Sequence, residues 1–428
     1  VSELPKGWAE ARLTDIVDLH DSRRIPLNKE QRQQRQGSYP YYGANGLVDH
    51  IDDYLFEGDF VLLAEDGGYF DDPARGVAYE ASGKFWVNNH AHILSPRAEI
   101  PNSFLMHLLN SISWLPHVGG STRFKLTQAG MQQVPVTVPP LLEQRRIVAK
   151  LDSLRARSSR ARQELDHIPK LIERFKQAIL AKAFSGKLTA DWRADNSVEN
   201  GETVPLDSVA DDFSYGSSAK SSPSGRVPVL RMGNIQNGKL DWSDLVYTSD
   251  EAEIKKYQLR SGDVLFNRTN SPELVGKTAL FSGEREAIYA GYLIRVRCGD
   301  RLLPSYLTYC LNSPLGRNYC WQVKTDGVSQ SNVNAKKLAA FEFLLPTVDE
   351  QTEIVRQIDR AFAWLDKIAT EHARAEHLLP KLDQAILAKA FRGELVPQDP
   401  NDEPASKLLE RIAKEASTGR TPKKRSTT

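Results

Sequence analysis

Residues 177–188, Gln177-Ala178-Ile179-Leu180-Ala181-Lys182-Ala183-Phe184-Ser185-Gly186-Lys187-Leu188, return at Gln384 to Leu395 as QAILAKAFRGEL with ten of the twelve residues unchanged. The same offset of 207 positions aligns Glu143-Gln144-Arg145-Arg146-Ile147-Val148 with Glu350-Gln351-Thr352-Glu353-Ile354-Val355. The repeat therefore runs without a gap across more than forty residues, and the chain is a tandem duplication.

The period of the repeated stretch gives its structure. Ile147, Leu151, Leu154, Ser158, Ala161, Leu165, Ile168, Ile172, Phe175 and Ile179 fall alternately three and four apart. The second copy places Ile354, Ile358, Ala361, Leu365, Ile368, His372, Ala375, Leu379, Leu382 and Ile386 at the matching positions. That is the seam of a coiled coil. Gly186 and Gly393 follow the two runs where a left-handed C-terminal cap belongs. Pro169 and Pro380 lie inside the runs and out of register with each other, so each helix is expected to kink or break there.

Each helix follows its own globular stretch, about residues 1–140 and 191–346. A parallel pair would force the second globule to carry the chain back along some 60 Å of helix, at about 1.5 Å per residue. An antiparallel pair needs no such return. The expected fold is α+β: two mixed α/β domains (1–140 and 191–346), two spacer helices (141–190 and 347–395) forming an antiparallel coiled coil with a pseudo-twofold, and a short C-terminal helix with a basic tail (396–428). The tail from Thr418 carries Arg420, Lys423, Lys424 and Arg425 and reads as disordered.

At 428 residues, with 40% hydrophobic and 26% charged residues, the chain can bury two or more cores and is too apolar for a disordered protein. No apolar run approaches the length of a membrane span, and VSELPKGWAEARL does not have the form of a signal peptide, so a cytoplasmic protein is expected. Cys298, Cys310 and Cys320 are odd in number and widely spaced, which fits free thiols. The net charge of +1 hides an imbalance: residues 1–140 carry 12 basic against 17 acidic side chains, while residues 141–190 carry 12 against 5. The basic part is the first helix, whose Arg155, Arg157, Arg160 and Arg162 lie off the seam.

The globules share a plan but little sequence. Gly58-Asp59-Phe60-Val61-Leu62-Leu63 predicts a buried strand and Phe104 to Asn110 a short helix; Gly262-Asp263-Val264-Leu265-Phe266 and Tyr306 to Asn312 answer them. The helices have stayed alike while the globules have drifted. One shared partner for the helices and two different ligands for the globules would explain that contrast.

The Pro140-Leu141-Leu142-Glu143-Gln144 and Pro346 to Gln351 helix starts, the QAILAKAFxGxL ends and the two divergent globules resemble the specificity subunit of type I restriction and modification systems. Within the globules, Tyr41-Tyr42-Gly43-Ala44-Asn45-Gly46 with Glu65-Asp66-Gly67, and Val229 to Gly238, are similar to that family's target-recognition domains, and Leu188 to Arg193 resembles the segment after its central helix. The resemblance implies a DNA-reading, non-catalytic scaffold for two copies of an adenine-N6 DNA methyltransferase subunit, which in turn recruit a restriction endonuclease and translocase. S-adenosylmethionine and ATP are then expected on those partner subunits and no cofactor on this chain. The ligand is double-stranded DNA, read as a split asymmetric site, with half-sites about one turn apart. The alternative is a coiled-coil adaptor without sequence-specific reading, which would not need two large divergent globules.

An enzyme would show its chemistry. Ser271-Pro-Glu-Leu-Val-Gly276-Lys277-Thr278 imitates a phosphate loop but has serine for the first glycine, an internal proline and a strand-like continuation. No methyltransferase tetrad is present. His90 and His92 flank Ala91 and lack a third metal ligand nearby, so a hydrogen-bonded strand pair is expected there.

Base reading favours Arg, Lys, Asn and Gln on loops. The candidates are Arg123, Lys125, Thr127 and Gln128 in the first globule, and Arg231, Asn234, Gln236, Arg268, Lys324, Gln330, Asn332 and Asn334 in the second. For the partner surface, the recurring Gln177, Lys182, Phe184 and Gln384, Lys389, Phe391 are candidates, together with Glu143, Gln144, Glu350 and Gln351 at the helix starts.

Overall fold

A computed structural model describes residues 4–417 apart from Ser329. The basic tail from Thr418 lies outside the described residues. The chain forms two compact units, residues 1–166 with 373–428, and residues 167–372. Each unit takes one globule, the near half of the helix that follows it, and the far half of the other helix.

In the first unit a six-stranded sheet runs in the order Val17–Leu19, Ala91–Pro96, Phe56–Ala64, Ala78–Val87, Gln36–Gly43, Gly46–Ile51. The expected buried strand is the one at Phe56–Ala64, with Val61, Leu62, Leu63 and Ala64 wholly buried. The expected helix spans Asn102–Ser111 and sets Phe104, Leu105, Leu108 and Leu109 into the same core. A helix at Ala405–Ser417 returns to this core, burying Ala405, Leu408 and Ile412 in one cluster with Leu13 and Ile16. Its start is tied by the Ala405 N–H donating to the Gly7 carbonyl at 2.8 Å, and by Arg146 donating to Asp402 at 2.5 Å.

The second unit has a smaller sheet of four strands, Ala210–Tyr215, Leu293–Cys298, Val264–Asn267 and Thr278–Leu280 in that order, backed by helices Pro304–Asn312 and Pro314–Val323. The two units share a frame. Pro135–Val138 pairs with Ala9–Arg12 in one, and Glu342–Leu345, 207 positions on, pairs with Glu202–Pro205 in the other. Each pair closes the ends of its globule and delivers the chain to a long helix three residues later.

Those helices differ at their prolines. The first is two helices, Leu141–Leu165 and Ile168–Phe184, with Pro169 in the opening turn of the second, where its missing N–H has no partner to lose. The break expected at Pro169 is present. The break expected at Pro380 is not: one helix runs from Val348 to Ala390 with Pro380 inside it. A proline costs about 3 kcal/mol in a helix interior. Buried Leu365 and His372 before it and buried Leu387 and Ala390 after it hold the helix on both sides of the proline, though several residues away, and tertiary packing of this kind dominates helix stability. Gly186 and Gly393 both take φ +73, the expected left-handed caps, with the Lys187 and Glu394 N–H groups donating back to the carbonyls of Lys182 and Lys389.

Within each unit the near half of one helix packs on the far half of the other, which is the antiparallel sense. Trp8, Ile147, Leu151, Leu387 and Ala390 form one cluster in the first unit. In the second, Leu180, Ala183, Phe184, Ile354 and Ile358 join the core, and Lys176 pairs with Asp366 at 2.6 Å. The seam follows the predicted positions through Ile147, Leu151 and Ser158, and through Ile354, Ile358, Leu365 and His372. Beyond the midpoint it shifts by one: Leu180 and Leu387 are buried, Ile179 and Ile386 only partly, and the predicted seam members Phe175 and Leu382 are exposed at 57% and 52%.

His107, buried in the first unit, lies 3.3 Å from Asp152 of the spacer helix. Burial and then the Arg155 charge push its pKa down to about 4 against the pull of Asp152. A histidine held neutral in this way contributes stability that is complete above its ordinary pKa of 6.5 and is lost as the pH falls toward 4. Between pH 7 and pH 4.5 the wild type should lose about 2–3 kcal/mol more than His107→Gln, at roughly 1.4 kcal/mol per unit. Urea unfolding of both at the two pH values checks this; equal losses would contradict it.

Candidate nucleic-acid interface

In the first globule three segments meet around an open cleft of about 720 Å³. The first is the hairpin turn between Gln36–Gly43 and Gly46–Ile51, where Gly43 pairs with Gly46 and Gly46 takes φ +115, a conformation open to glycine. The second is the turn Asn88 to His90 between two sheet strands. The third is the loop from Gly119 to Thr127, to which Thr122 and Arg123 belong.

The loop is held by its backbone. Gly119 and Lys125 exchange hydrogen bonds of 2.8 and 2.9 Å, the Leu126 N–H donates to the Glu65 carbonyl at 2.7 Å, and the Gly67 N–H donates to the Phe124 carbonyl at 3.0 Å. On the cleft wall Asp66 accepts from Arg123 Nε at 2.7 Å and lies 3.2 Å from His90 Nδ1. Beneath the loop, buried His92 places Nδ1 2.5 Å from Asp21 and Nε2 3.0 Å from the Leu126 carbonyl. A carbonyl only accepts, so Nε2 carries a hydrogen. Arg24 bridges Asp21 and Glu65 at 3.2 and 2.6 Å. Burial acts to raise the Asp21 pKa, but His92, the Ile93 amide and Arg24 outweigh it and hold it below the usual carboxylate value. Asp21, Glu65 and His92 bring one ligand atom each within 4.8 Å of the others, yet all three are engaged by Arg24 or the loop. His90 and His92 lie against different carboxylates, Asp66 and Asp21, and of the expected strand pair only His92 is on the strand, His90 being in the turn before it.

Of the four first-globule candidates, Arg123, Lys125 and Gln128 are exposed on or beside this loop. Thr127 caps the helix Gln128–Gln132, its hydroxyl accepting from the Gly130 N–H at 3.1 Å. In the second globule Gln236 and Gln330 are exposed, and Arg231 donates to Asp244 at 3.1 Å. Asn332 donates to Thr269 at 2.8 Å next to Arg268, which sits 4.7 Å above the Tyr215 ring. Lys324 is bound to Asp326 and covers the Trp321 ring. Asn334 caps a short helix by accepting from the Lys337 N–H.

Asn234 turns away from any ligand. It is 2% exposed, accepts from the Arg231 N–H and donates to the carbonyls of Asp241 and Asp244. The phosphate-loop lookalike runs from Lys277 directly into the strand Thr278–Leu280, so no helix N-terminus faces it.

The partner candidates divide sharply. Glu143, Gln144, Glu350, Gln351 and Phe184 are buried, so none can be a docking surface. Gln144 and Gln351 donate to the carbonyls of Pro139 and Pro346, and Gln351 also accepts from the Leu303 N–H and donates to the Arg301 carbonyl. Glu143 accepts from the Trp8 indole at 3.2 Å, while Glu350 binds Thr189 at 2.7 Å and Arg193 at 2.5 Å. These residues fasten each helix start to its globule. Phe184 meets the Tyr306 ring edge to face, and half-buried Phe391 packs tilted against Phe104. Gln177 and Gln384 are half-buried, the latter donating to the Pro73 carbonyl; Lys182 and Lys389 are exposed.

What sequence reasoning missed is an apolar ridge. Leu171 and Phe175 are 44% and 57% exposed, and their repeat partners Leu378 and Leu382 are 48% and 52% exposed. Ala178 and Lys182 continue the ridge at helical spacing, as Ala385 and Lys389 do in the other unit, all exposed. Lys170 and Arg174 flank the first ridge and His377 and Lys381 the second. The signal is present in the 207-residue offset, but the three-and-four spacing places Phe175 and Leu382 in the seam.

Comparison with known proteins gives a consistent answer. A family model described as the type I restriction modification DNA specificity domain matches residues 5–169 and 202–376. The chain is 29% identical to the EcoKI specificity subunit of Escherichia coli K12, over 97% of both chains. It is 31% identical to a putative type I restriction enzyme specificity subunit of Haemophilus influenzae, over 84% of this chain and 88% of that one. A chain solved in work on complex assembly and conformational transition of the type I R-M system superposes with a TM-score of 0.66 at 21% identity, covering 92% of this chain and all of the other. That last likeness is one of fold.

Proposed function

The chain belongs to the type I restriction modification DNA specificity family, and from that premise we propose how its two units divide the work. Its role is the recognition of DNA within a restriction and modification complex, and the chemistry belongs to other subunits. In this reading each unit contributes one reader for one half of a bipartite asymmetric site and one docking ridge for one copy of a DNA adenine methyltransferase subunit. S-adenosylmethionine is carried by that subunit, and ATP by the restriction subunit that joins the complex through it.

The observation that carries the reading is a common frame with unlike contents. The strand pairs closing the two globules recur at the 207-residue offset, while one globule holds a six-stranded sheet and the other a four-stranded one. A shared frame serves a shared partner; unlike faces serve unlike sequences. The doubled ridge supports two partner copies, and its apolar centre with a basic flank calls for a partner surface that is apolar and rimmed by carboxylates. A coiled-coil adaptor would need neither the cleft nor the difference between the globules.

The test reads the two halves of the site separately. Arg123→Ala should weaken binding by about 1–3 kcal/mol and relax preference in one half-site, whereas Gln330→Ala should affect the other. Selection of bound duplexes from a randomised library, with the chain in its complex, reports both. Either substitution altering both halves together would defeat the division of labour.

A further inference from the structure

We propose that the first unit reads an A·T base pair through the cleft, with Asn89 on the adenine edge and Leu47 and Val48 against the thymine methyl. The proposal rests on the DNA-reading role and assigns it to residues outside the loop on which the sequence candidates cluster.

Three observations carry it. The cleft is open and, at about 720 Å³, falls within the size range of ligand sites, about 300–1,000 Å³. Such an open site suits the edge of a duplex better than a detached small molecule. Its walls are rich in side-chain amides: Asn45 spends its amide nitrogen on the Gly67 carbonyl at 3.0 Å and keeps its oxygen, and Asn88 accepts from the His90 N–H at 2.8 Å, which shapes the turn. Asn89, at the tip of that turn, is exposed, and its side chain makes no hydrogen bond among the described residues.

Beside these amides stand two large aliphatic side chains on the hairpin, Leu47 at 55% and Val48 at 52% exposure. Their place is costly in water and is not explained by the core of the domain. In the major groove an A·T pair presents, side by side, the adenine N7 acceptor and N6 donor that an asparagine amide matches and the thymine methyl that an aliphatic side chain covers. A G·C pair offers no methyl group there. A free amide next to a free aliphatic patch is therefore the complement of A·T. Arg123, tethered by Asp66 at the same rim, is held ready for a neighbouring base or phosphate.

The experiment uses the full chain in its complex and randomised duplexes. The wild type should select a bipartite sequence with an A·T pair in one half. Asn89→Ala should release that A·T position alone and lower affinity for the wild-type site by about 5- to 150-fold. Leu47→Ser should reduce discrimination of thymine from uracil at the same position. Neither should touch the other half-site. If the wild type selects its bipartite site and Asn89→Ala selects the same one with equal affinity, the cleft assignment is wrong and the DNA-reading role stands. Release of a G·C position would overturn the assignment equally. A wild type that selects no sequence would remove the premise itself.

Discussion

Replacing Glu350 with alanine should destabilise the second unit by about 3–5 kcal/mol, whereas alanine at its repeat partner Glu143 should cost the first unit only about 1–2 kcal/mol. The two glutamates occupy the same place in the repeat and are both 1% exposed. Their partners differ in kind. Glu350 neutralises Arg193, itself only 14% exposed, and removing the carboxylate leaves a guanidinium in a poorly hydrated site. Glu143 meets a neutral indole, and burial raises its own pKa, so its loss strands one N–H donor and no charge. Urea unfolding of the two variants, with hydrogen exchange to assign the loss to a unit, makes the comparison. Equal costs would show that the Arg193 pair is not what holds the second helix start.

That pair also marks where sequence reasoning stops. The repeat, the extents of the helices and their glycine caps were legible because each is written in local spacing. The Glu-Gln motifs looked like surface to be shared with a partner, since a polar pair at a helix start is usually exposed. Only folding brings Arg193 to Glu350 and Trp8 to Glu143 across more than a hundred residues. The seam failed for a different reason. A straight helix drifts about 20° per heptad from a strict seven-residue count, so counting on from Ile147 and Ile354 places Phe175 and Leu382 inside when they face out, with or without a break at the proline. The cleft was illegible because it is assembled from three turns near residues 45, 89 and 123, and nothing in the sequence says that these distant segments meet. Arg123 was found because an arginine in a Gly-Ser-Thr loop is a recognisable reader, while asparagines in strand turns read as turn formers.

The ridge is the point on which the account of a doubled scaffold depends. Each unit exposes one, and the substitutions Phe175→Asp and Leu382→Asp alter solvent-facing positions without entering either core, unlike changes at Phe184. The mass of the complex at saturating methyltransferase subunit, measured under native conditions, decides the matter. The wild type should carry two copies, each single variant one, and the double variant none. Two copies retained on the double variant would contradict the docking of one partner on each ridge.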